Sequence, residues 1–571
     1  MSHQDGSITI GRYLWTRLRQ LGIDSVHGVP GDYNLNLLDS ISSEGLRWVG
    51  SCNELNAGYA TDGYARVKGI GAMVTTGGVG ELSAINAHAG AYSEQTAVIH
   101  IVGSPALSIR GNKQFQMHHT LGDNDYDVFK NIFKPVSAEQ VTLMDASRAP
   151  GEIDHILQTC WVSSRPVYID IPADMANKVV DGSRLLSPLS LSFPSSDTQQ
   201  QDEALAALLS KLIAAQNPCI LVDMGAARQR IDRAVHELVS NSRLPTFVTP
   251  LAQGFINESL PSFGGLYAGS GSHPGVQEYV ERSDFVLHIG PLDTDVTTYL
   301  GSASIRRTAV VKLFTDEVQI DDKVYSSVYL HSFVPTLLKR ADFSRTSIKP
   351  FVAPTVNGTI ATKDNDPITH AWLWPYIGSW LRPGDIVSTD TGTASFGIFD
   401  TKLPPDSMLI NISLWASIGY SLPSAQGAAL AAQDAKTRRR TILFQGDGSF
   451  QLTCQEISTM IKHRLQVFIF IICNNGYTIE RAVHETTENY NDILNWNYKE
   501  LLRVFDRESK HSRAFEVHTQ GEFKDLLADE KFSPYGGVQL VEVYMPELDI
   551  PQPLKKLAEV ITARQRAAAG R

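Results

Sequence analysis

The feature that most constrains the fold is a strand–helix–strand pattern between residues 441 and 476. The apolar runs Thr441–Gln445 and Val467–Cys473 predict two buried strands, and the helical stretch Leu452–His463 lies between them. A chain that returns through a helix to a neighbouring strand forms a parallel pair, and parallel sheets are covered by helices on both faces. This part of the chain is therefore predicted to have an α/β fold.

The same alternation recurs along the rest of the 571 residues, which is enough for three or four domains at about 150 residues each. Two stretches, Asp181–Gln201 and Thr346–Asp366, are rich in proline and polar residues and are interpreted as linkers. We therefore expect three α/β domains with parallel sheets flanked by helices, at 7–185, 202–345 and 367–571. The other strand-like runs are Ser25–Val29, Gly69–Thr76, Ala97–Val102, Pro218–Asp223, Thr246–Pro250, Phe285–Ile289 and Ala309–Lys312.

Composition excludes several classes of function. The net charge is −11, and the only dense basic cluster, Arg438–Arg440, directly precedes a strand and is interpreted as solvated, so nucleic-acid binding is not expected. The longest apolar run has seven residues, against the roughly 20 that a membrane-spanning helix needs. The N-terminus has no apolar core of the signal-peptide type, and the five cysteines show neither disulfide nor metal spacing. A cytoplasmic location without membrane partners is expected.

The polar residues at the two strand ends carry the strongest chemical signal. Gly446-Asp447-Gly448-Ser449 follows the first strand and Asn474-Asn475-Gly476 follows the second, with 27 residues between Asp447 and Asn474. One helix and one return strand account for that spacing, so both side chains should lie at the carboxyl edge of the sheet, where α/β proteins bind ligands. A carboxylate, an amide oxygen and a backbone carbonyl suit Mg²⁺ shared with phosphate. Gly448 and Ser449 would let backbone N–H groups approach a diphosphate at a helix N-terminus.

This GDG…NN arrangement resembles the signature of thiamine-diphosphate-dependent enzymes. Further stretches are similar in order and spacing to the pyruvate decarboxylase family, and they extend from about residue 12 to 553. Fungal pyruvate decarboxylases look most similar, with indolepyruvate and branched-chain 2-keto acid decarboxylases as near relatives. The stretches that carry the resemblance are GVPGDYNLNLLD, NELNAGYATDGYAR, TTGGVGELSAINAHAGAYSE, HHTLG, TGTASFG, LWASIGYSLPSAQGA, GDGSFQLTCQEISTMI and NNGYTIE.

The resemblance implies two cofactors, thiamine diphosphate and Mg²⁺, bound by the first (pyrimidine-binding) and third (diphosphate-binding) domains. It implies that Asp447, Asn474 and the Gly476 carbonyl bind the metal. Ile418 would be the apolar wedge that bends the cofactor, and the Ala416 carbonyl would accept a hydrogen bond from its 4′-amino group. The full cofactor-binding set that it implies is Glu54, Thr391, Thr393, Ala416, Ile418, Asp447, Gly448, Ser449, Asn474, Gly476, Tyr477 and Ile479.

Glu54 has two interpretations. The resemblance implies a carboxyl group that shares a proton with N1′ of the aminopyrimidine, so that the cofactor itself acts as the base for its C2 proton. The residues alone favour an acid in the first helical turn after Asn53, a good N-cap.

Four further residues complete the catalytic set that the resemblance implies: Asp32, His118, His119 and Glu480. In the implied reaction a C2 ylid attacks a 2-keto acid, CO₂ leaves, and the resulting enamine is protonated before the aldehyde is released. Glu480 would lie beside the substrate carboxylate, while Asp32 and His119 relay protons with support from His118. The alternatives from the residues alone are a turn aspartate and solvated histidines.

The chain departs from the family pattern at positions that bear on substrate choice. Gly78 is taken to stand where relatives usually carry an aromatic ring, Val483 stands where many pyruvate-preferring members carry isoleucine, and Gln95 is atypical. With Ser395 and Ile479, Gly78 and Val483 form the expected substrate pocket, which should be roomy enough for larger 2-keto acids or an aldehyde acceptor. The stretch VDMGAARQ lacks the cysteine of some yeast members, and the middle domain lacks a flavin-specific pattern. A structural or regulatory role is expected for that domain.

The expected function is non-oxidative decarboxylation of a 2-keto acid, pyruvate by default, to an aldehyde and CO₂. One alternative is a carboligase that forms acyloins, and another is a decarboxylase of aromatic or branched 2-keto acids. An inactive regulatory homologue is the alternative from another class, and the complete polar set argues against it. The resemblance also implies a homodimer or homotetramer in which Glu54, Asp32 and His119 of one subunit meet Asp447 and Glu480 of its neighbour.

Overall fold

The computed structural model describes residues 6–110, 112, 114–352, 363–484, 486–534 and 536–568. Its strands form three large sheets with helices between them, and all neighbouring strands in two of those sheets are parallel. The predicted α/β class with parallel, helix-flanked sheets is therefore confirmed. The second linker stretch, 346–366, lies partly outside the described residues.

The first sheet has six parallel strands in the order β3-β2-β4-β5-β7-β6, and β1 pairs with β8 beside it. Strands β2, β4, β5 and β7 are buried along their whole length. Burial on both faces is favourable for these strands because they are rich in apolar residues and helices cover the sheet on both sides. The strands of this region are β1 (Ser7–Thr9), β2 (Ser25–Gly28), β3 (Arg47–Gly50), β4 (Gly71–Thr76), β5 (Val98–Ser104), β6 (Gln140–Thr142), β7 (Val167–Pro172) and β8 (Val179–Asp181). The helices are α1 (Ile10–Gln20), α2 (Leu35–Leu38), α3 (Glu54–Lys68), α4 (Val79–Ser93), α5 (Leu107–Arg110), α6 (Val128–Phe133) and α7 (Ala149–Ser163).

The middle sheet has seven strands in the order β11-β10-β9-β12-β13-β14-β15, with the last two antiparallel. Its own hydrophobic core contains Leu205, Ile220, Val235 and Phe333. The strands are β9 (Pro218–Val222), β10 (Thr246–Val248), β11 (Phe263–Leu266), β12 (Phe285–Ile289), β13 (Val310–Leu313), β14 (Glu317–Ile320) and β15 (Lys323–Ser326). The helices are α8 (Thr198–Ala214), α9 (Met224–Arg228), α10 (Asp232–Ser242), α11 (Val276–Arg282) and α12 (Leu330–Arg340).

The last sheet has six parallel strands in the order β17-β16-β18-β19-β21-β20. Strand β19, with the sequence VFIFIIC, is buried along its whole length between β18 and β21. The strands are β16 (Ile386–Thr389), β17 (Met408–Asn411), β18 (Thr441–Gly446), β19 (Val467–Cys473), β20 (Ser512–Val517) and β21 (Val538–Tyr544). The helices are α13 (His370–Trp380), α14 (Thr393–Gly397), α15 (Ser421–Asp434), α16 (Asp447–Thr453), α17 (Ile457–Lys462), α18 (Thr478–Val483), α19 (Tyr498–Phe505), α20 (Gln520–Ala528) and α21 (Gln552–Ala568).

Three local predictions were wrong. The helix expected at 452–463 begins at Asp447 and is broken into α16, a 3₁₀ turn at Cys454–Glu456, and α17. The first linker is shorter than expected, because β8 pairs with β1 and α8 begins at Thr198. Arg440 is buried rather than solvated, since its guanidinium pairs with Asp385 at 2.5 Å and lies over the Trp380 ring.

The first and last sheets pack together through α3 and α15. Glycine permits the close approach: a Cβ at Gly63 would overlap the Ser424 backbone, and one at Gly427 would overlap the carbonyl of Ala60. One continuous core accordingly contains residues from both regions, including Tyr64, Val74, Leu422 and Leu443. In the described part of the chain, no helix is both long enough and apolar enough to cross a membrane.

Candidate active site

The predicted residues of the first region collect at the carboxyl edge of the first sheet. Asp32 follows β2, Glu54 follows β3, and His118 and His119 lie between α5 and α6. The Nε2 atom of His118 lies 2.7 Å from a carboxylate oxygen of Asp32. One polar atom from each of Asp32, His118 and His119 lies within 4.8 Å of the others, so these three residues form one cluster, called here the Asp–His cluster.

Tyr33, which sequence reasoning missed, orders this cluster. Its hydroxyl donates to the backbone carbonyl of His118 at 2.8 Å, and its ring stacks on the His118 imidazole. Burial, together with the charge of Asp32, raises the pKa of Tyr33 to about 12, so the hydroxyl keeps its proton at neutral pH. Its position directly after Asp32 was the only sequence signal.

Glu54 is the first residue of α3, but the cap of that helix is its neighbour. The Asn53 side chain accepts the backbone N–H of Asn56 at 2.8 Å, so helix capping does not require the Glu54 carboxylate. A Cβ added to Gly80 would lie 3.0 Å from Glu54 Oε1, which places this carboxylate over the turn that follows β4. Burial raises the pKa of Glu54 above its ordinary value, which favours a carboxyl group that holds or shares a proton.

Asp447 joins the ends of β18 and β19 in the last sheet. Its carboxylate accepts the backbone N–H groups of Gly448 at 2.8 Å, Asn474 at 3.0 Å and Asn475 at 2.9 Å. The predicted placement of Asp447 and Asn474 at one edge is therefore correct. Burial raises the pKa of Asp447 to about 6 against the opposing effect of these N–H donors.

The donor set around Asp447 fits a hard divalent cation. The Asn474 side chain is buried beside it and makes no hydrogen bond to any described residue, so its amide oxygen is available. Gly476 adopts a φ of +118° and presents its carbonyl nearby, where it accepts the Thr478 N–H at 3.0 Å. A carboxylate, an amide oxygen and a carbonyl are the oxygen ligands that Mg²⁺ prefers.

The Tyr477 ring packs against the first turn of α16. A Cβ at Gly448 would lie 2.7 Å from the Tyr477 ring, so glycine allows this ring to approach the backbone. The Ser449 hydroxyl donates to the Gly446 carbonyl at 3.1 Å. Ile479 is partly buried in α18, and Glu480, in the same helix, has an exposed side chain.

The remaining predicted cofactor residues follow β16 and β17 at the same edge. Thr393 is the buried first residue of α14, Thr391 precedes it with Gly392 at a φ of +138° between them, and the Ser395 hydroxyl donates to the Gly392 carbonyl at 2.9 Å. Ala416 is exposed with a φ of +53°, and Ile418 is partly buried.

Two buried carboxylates that the sequence did not reveal hold the loop with Ala416 and Ile418. Asp390 accepts the backbone N–H groups of Gly419 at 3.0 Å and Ser421 at 2.8 Å, and burial raises its pKa to about 6. Glu94, from the end of α4, accepts those of Leu414 and Trp415 at 2.9 and 3.1 Å. The sequence does not show these contacts, because the N–H groups that the two carboxylates accept from this loop lie 29 to 321 residues away along the chain.

The structure changes the interpretation of two of the departures from the family pattern. Gly78 has a φ of +67°, and an added Cβ would overlap the His119 carbonyl oxygen, so backbone already fills the space that a missing ring was expected to open. A Cβ at the neighbouring Gly77 would lie 3.1 Å from the Gly103 carbonyl oxygen, which is a close contact but not an overlap. Gln95 lies away from the expected pocket, since its side-chain oxygen faces the Gln229 amide of the middle region at 3.5 Å. Val483 is partly buried against the core of the last region.

The predicted residues therefore form two groups at the edges of two sheets. The first group is Glu54 with the Asp–His cluster, and the second surrounds Asp447 and Glu480. Among the residues that the structure describes, no hydrogen bond or ion pair within the chain joins one group to the other.

Comparison with known proteins gives matches over nearly the whole chain. Three family models match: "Thiamine pyrophosphate enzyme, N-terminal TPP binding domain" over residues 8–124, "central domain" over 205–340, and "C-terminal TPP binding domain" over 390–543. The chain is 44% identical to a pyruvate decarboxylase of Aspergillus fumigatus, over 98% of both proteins. It is 41% identical to one of Kluyveromyces lactis and 38% identical to pyruvate decarboxylase isozyme 1 of Saccharomyces cerevisiae, in each case over 97% of this chain and 99% of the relative.

Proposed function

The chain belongs to the pyruvate decarboxylase family of thiamine pyrophosphate enzymes, and on this premise we propose that it converts a 2-keto acid, pyruvate by default, to an aldehyde and CO₂ without oxidation. The observation that carries the proposal is the meeting of Asp447, Asn474 and Gly476 at one sheet edge, beside the turn that starts α16. These groups suit a metal that holds a diphosphate. The proposed domains are 7–185 for the pyrimidine, 202–345 in the middle, and 367–571 for the diphosphate.

Thiamine diphosphate, when bound, supplies a carbon nucleophile that can hold the electron pair left by departing CO₂. The chain's residues would bind and orient it: Asp447, Asn474 and Gly476 through Mg²⁺, and Thr391, Thr393, Gly448, Ser449 and Tyr477 along the diphosphate-binding edge. Ala416 would offer its carbonyl to the aminopyrimidine, with Ile418 and Ile479 as the apolar surface below. The match of both TPP-binding family models to these segments supports the assignment.

Glu54 would hold a proton at the pyrimidine ring. Its raised pKa supports this role, because a carboxyl group of higher proton affinity shares a proton more readily with a ring nitrogen. The capping of α3 by Asn53 supports the role as well, because the helix does not need the Glu54 carboxylate as its cap.

The Asp–His cluster would move protons late in the reaction. The 2.7 Å contact between His118 and Asp32 permits a proton to pass between imidazole and carboxylate, and His119 lies beside them. Glu480 would lie near the substrate carboxylate. Its side chain is exposed in the single chain, so it is accessible to a substrate.

A complete site is proposed to form between two copies of the chain, in a homodimer or a homotetramer of two such dimers. Exposed apolar side chains support the dimer: Val79 and Leu82 on α4 are 54% and 36% exposed, and Leu452 on α16 is 50% exposed. Trp415 is 40% exposed and donates its indole N–H to Asn86 of α4 at 2.8 Å. A second copy could bury these side chains, and the proposed dimer would then have the first group of one chain beside the second group of the other.

The substrate is proposed to be held by Ser395, Ile479 and Val483. Valine in place of a larger isoleucine adds room for one methylene, which is worth roughly 1 kcal/mol of discrimination. The pocket would therefore accept larger 2-keto acids beside pyruvate. The five free cysteines support a reducing, cytoplasmic location.

A carboligase that adds the same activated group to an aldehyde is the second candidate, because it would use the same residues up to loss of CO₂. A panel of pyruvate, phenylpyruvate, indolepyruvate and branched 2-keto acids, each with and without an aromatic aldehyde, separates the two. The proposal predicts one free aldehyde per CO₂. An acyloin as the dominant product would assign the chain to the carboligases, and no CO₂ from any acid would indicate the inactive regulatory homologue.

A further inference from the structure

The turn between β4 and α4 touches both halves of the first group. The backbone of Gly78 lies against the carbonyl oxygen of His119, and the Cα of Gly80 lies under the Glu54 carboxylate. Residues 77–80, called here the glycine turn, thus separate the carboxylate assigned to cofactor activation from the cluster assigned to later proton transfer. These assignments rest on the proposed function. The contacts themselves do not.

One buried side chain, that of Glu81, binds the backbone of the glycine turn. Its Oε1 accepts the backbone N–H of Gly78 at 2.7 Å, and its Oε2 accepts the hydroxyl of Tyr168 at 2.7 Å. Glu81 is only 3% exposed, and Tyr168 lies in the buried strand β7. The carboxylate therefore links the turn directly to the rigid centre of the first sheet.

The conformational freedom of Gly78 explains why such a link matters. Its φ of +67° and ψ of −99° are open to glycine, which adopts positive φ about as readily as negative φ, so contacts with neighbouring groups rather than a preference of the residue itself hold the turn in one conformation. Glu81 also occupies the third position of α4, from which its side chain accepts the backbone N–H of the N-cap residue, Gly78.

The surroundings of Tyr168 make it a fixed donor. Its ring packs edge-on against His100 in β5, whose Nε2 lies 2.9 Å from the Thr75 hydroxyl. Asp170, two residues after Tyr168 in β7, forms an ion pair with Arg110 of α5 at 3.0 Å. The glycine turn lies between this buried set and the Asp–His cluster, since Gly78 contacts Glu81 through its N–H and the His119 carbonyl through its Cα.

We propose that Glu81, anchored by Tyr168, is a positioning residue that sets the spacing between Glu54 and the Asp–His cluster by fixing the glycine turn. Without it, the backbone at Gly78 and Gly80 can relax, and Glu54 and His119 shift relative to each other. The result would be a lower kcat with a KM for the 2-keto acid that changes little, because no substrate contact is removed.

The test uses three variants and one control in the full chain. Glu81→Ala removes both hydrogen bonds, Tyr168→Phe removes one, and Glu81→Gln keeps the shape and one acceptor oxygen. Tyr13→Phe is the matched control, since the Tyr13 hydroxyl donates to the buried Asp154 at 2.8 Å, between α1 and α7 rather than at the turn.

Two readouts are compared. The first is backbone hydrogen–deuterium exchange of residues 74–84 in the cofactor-free protein, which is independent of any activity. The second is the split between kcat and KM with pyruvate at saturating Mg²⁺ and thiamine diphosphate. Glu81→Ala should raise the exchange rate of this segment at least tenfold and lower kcat at least tenfold. Tyr168→Phe should change both quantities in the same direction but by less. Glu81→Gln should have an exchange rate and a kcat close to those of the wild type.

The outcomes are distinguishable from failure of the proposed function. Unchanged exchange at 74–84 in Glu81→Ala, or an equal loss of kcat in Tyr13→Phe, would overturn the inference. Faster exchange with kcat within twofold of the wild type would also overturn it. If the wild-type protein releases no CO₂ from any 2-keto acid, the proposed function fails, while the exchange data still decide whether Glu81 holds the turn.

Discussion

The carboxylate of Asp447 accepts the backbone N–H of Asn474 at 3.0 Å, so a single side chain joins the ends of two neighbouring parallel strands. The chain reaches this contact after 27 residues that include α16, α17 and the whole of β19. The contact brings the Asp447 carboxylate beside the Asn474 side chain, whose amide makes no hydrogen bond to the residues that the structure describes, and the metal assignment depends on these two groups.

Replacing Asp447 with Asn should weaken Mg²⁺-dependent cofactor binding at least a hundredfold, because the anionic metal ligand is lost. Titration calorimetry with Mg²⁺ and thiamine diphosphate measures the change. The matched control is Asp223→Asn, since Asp223 is an equally buried carboxylate after β9 that accepts the Met224 and Leu292 N–H groups at 2.7 and 2.9 Å. Equal losses of affinity in both variants would show a general effect on folding and contradict the metal role.

Replacing Glu54 with Gln should lower kcat by a factor of 10² to 10⁴, the range typical for loss of one acid–base group. Asn53 still caps α3, so the thermal unfolding temperature should change by less than about 2 °C. Steady-state kinetics and circular dichroism provide the two measurements. Activity within a fewfold of the wild type would remove Glu54 from the mechanism.

Mixing two inactive variants tests whether the site is shared between subunits. If Glu54→Gln and Asp447→Asn chains are unfolded and refolded together in equal amounts, half of the dimers are mixed, and each mixed dimer has one intact site. The activity should return to about a quarter of the wild-type value. Sites formed within one chain would leave the mixture inactive, and each variant refolded alone is the control.

Stability should depend on pH through Glu258, which joins the middle and last regions. Its carboxylate accepts the Leu403 N–H at 2.9 Å, and burial raises its pKa to about 7. A raised pKa contributes stability that is present below the unfolded value near 4.5 and is lost as the pH rises through 7. Glu258→Gln, which cannot ionise, should therefore be close to neutral at pH 5 and more stable than the wild type at pH 8, by about 3 kcal/mol or less.

Urea unfolding at pH 5 and pH 8 measures this difference. Glu278 of α11 forms an ion pair with Arg282 at 2.6 Å, and both side chains are exposed, so Glu278→Gln is the control for removing a surface carboxylate and should change the free energy of unfolding by less than about 1 kcal/mol. A stability gain from Glu258→Gln that is equal at both pH values would contradict the titration of Glu258.

The part of the site that could be predicted from sequence depends on local patterns, in which an apolar strand is followed directly by polar residues. Apolar strands followed by polar residues place Asp447 and Asn474 at a sheet edge, because the direction of the strands determines which edge they reach. The bounds of β19 and β12 were likewise correct at both ends, because continuous apolar runs between turns have few other structures.

The remainder depends on contacts between distant segments. The helix after Asp447 breaks where Glu456 accepts the Cys52 N–H at 3.2 Å and the Asn56 amide at 3.1 Å, some 400 residues away. The roles of Asp390, Glu94 and Glu81 likewise depend on donors that the fold brings to them, which are backbone N–H groups for the first two and the Tyr168 hydroxyl for Glu81. The space beside Gly78 is likewise occupied by His119, 41 positions later in the chain.

The most direct test is product analysis with purified protein, Mg²⁺, thiamine diphosphate and pyruvate. We predict equal amounts of CO₂ and acetaldehyde, with none of either when Mg²⁺ or thiamine diphosphate is withheld. Pyruvate consumption with an acyloin as the main product, or no CO₂ from pyruvate or any larger 2-keto acid, would contradict the assignment as a decarboxylase.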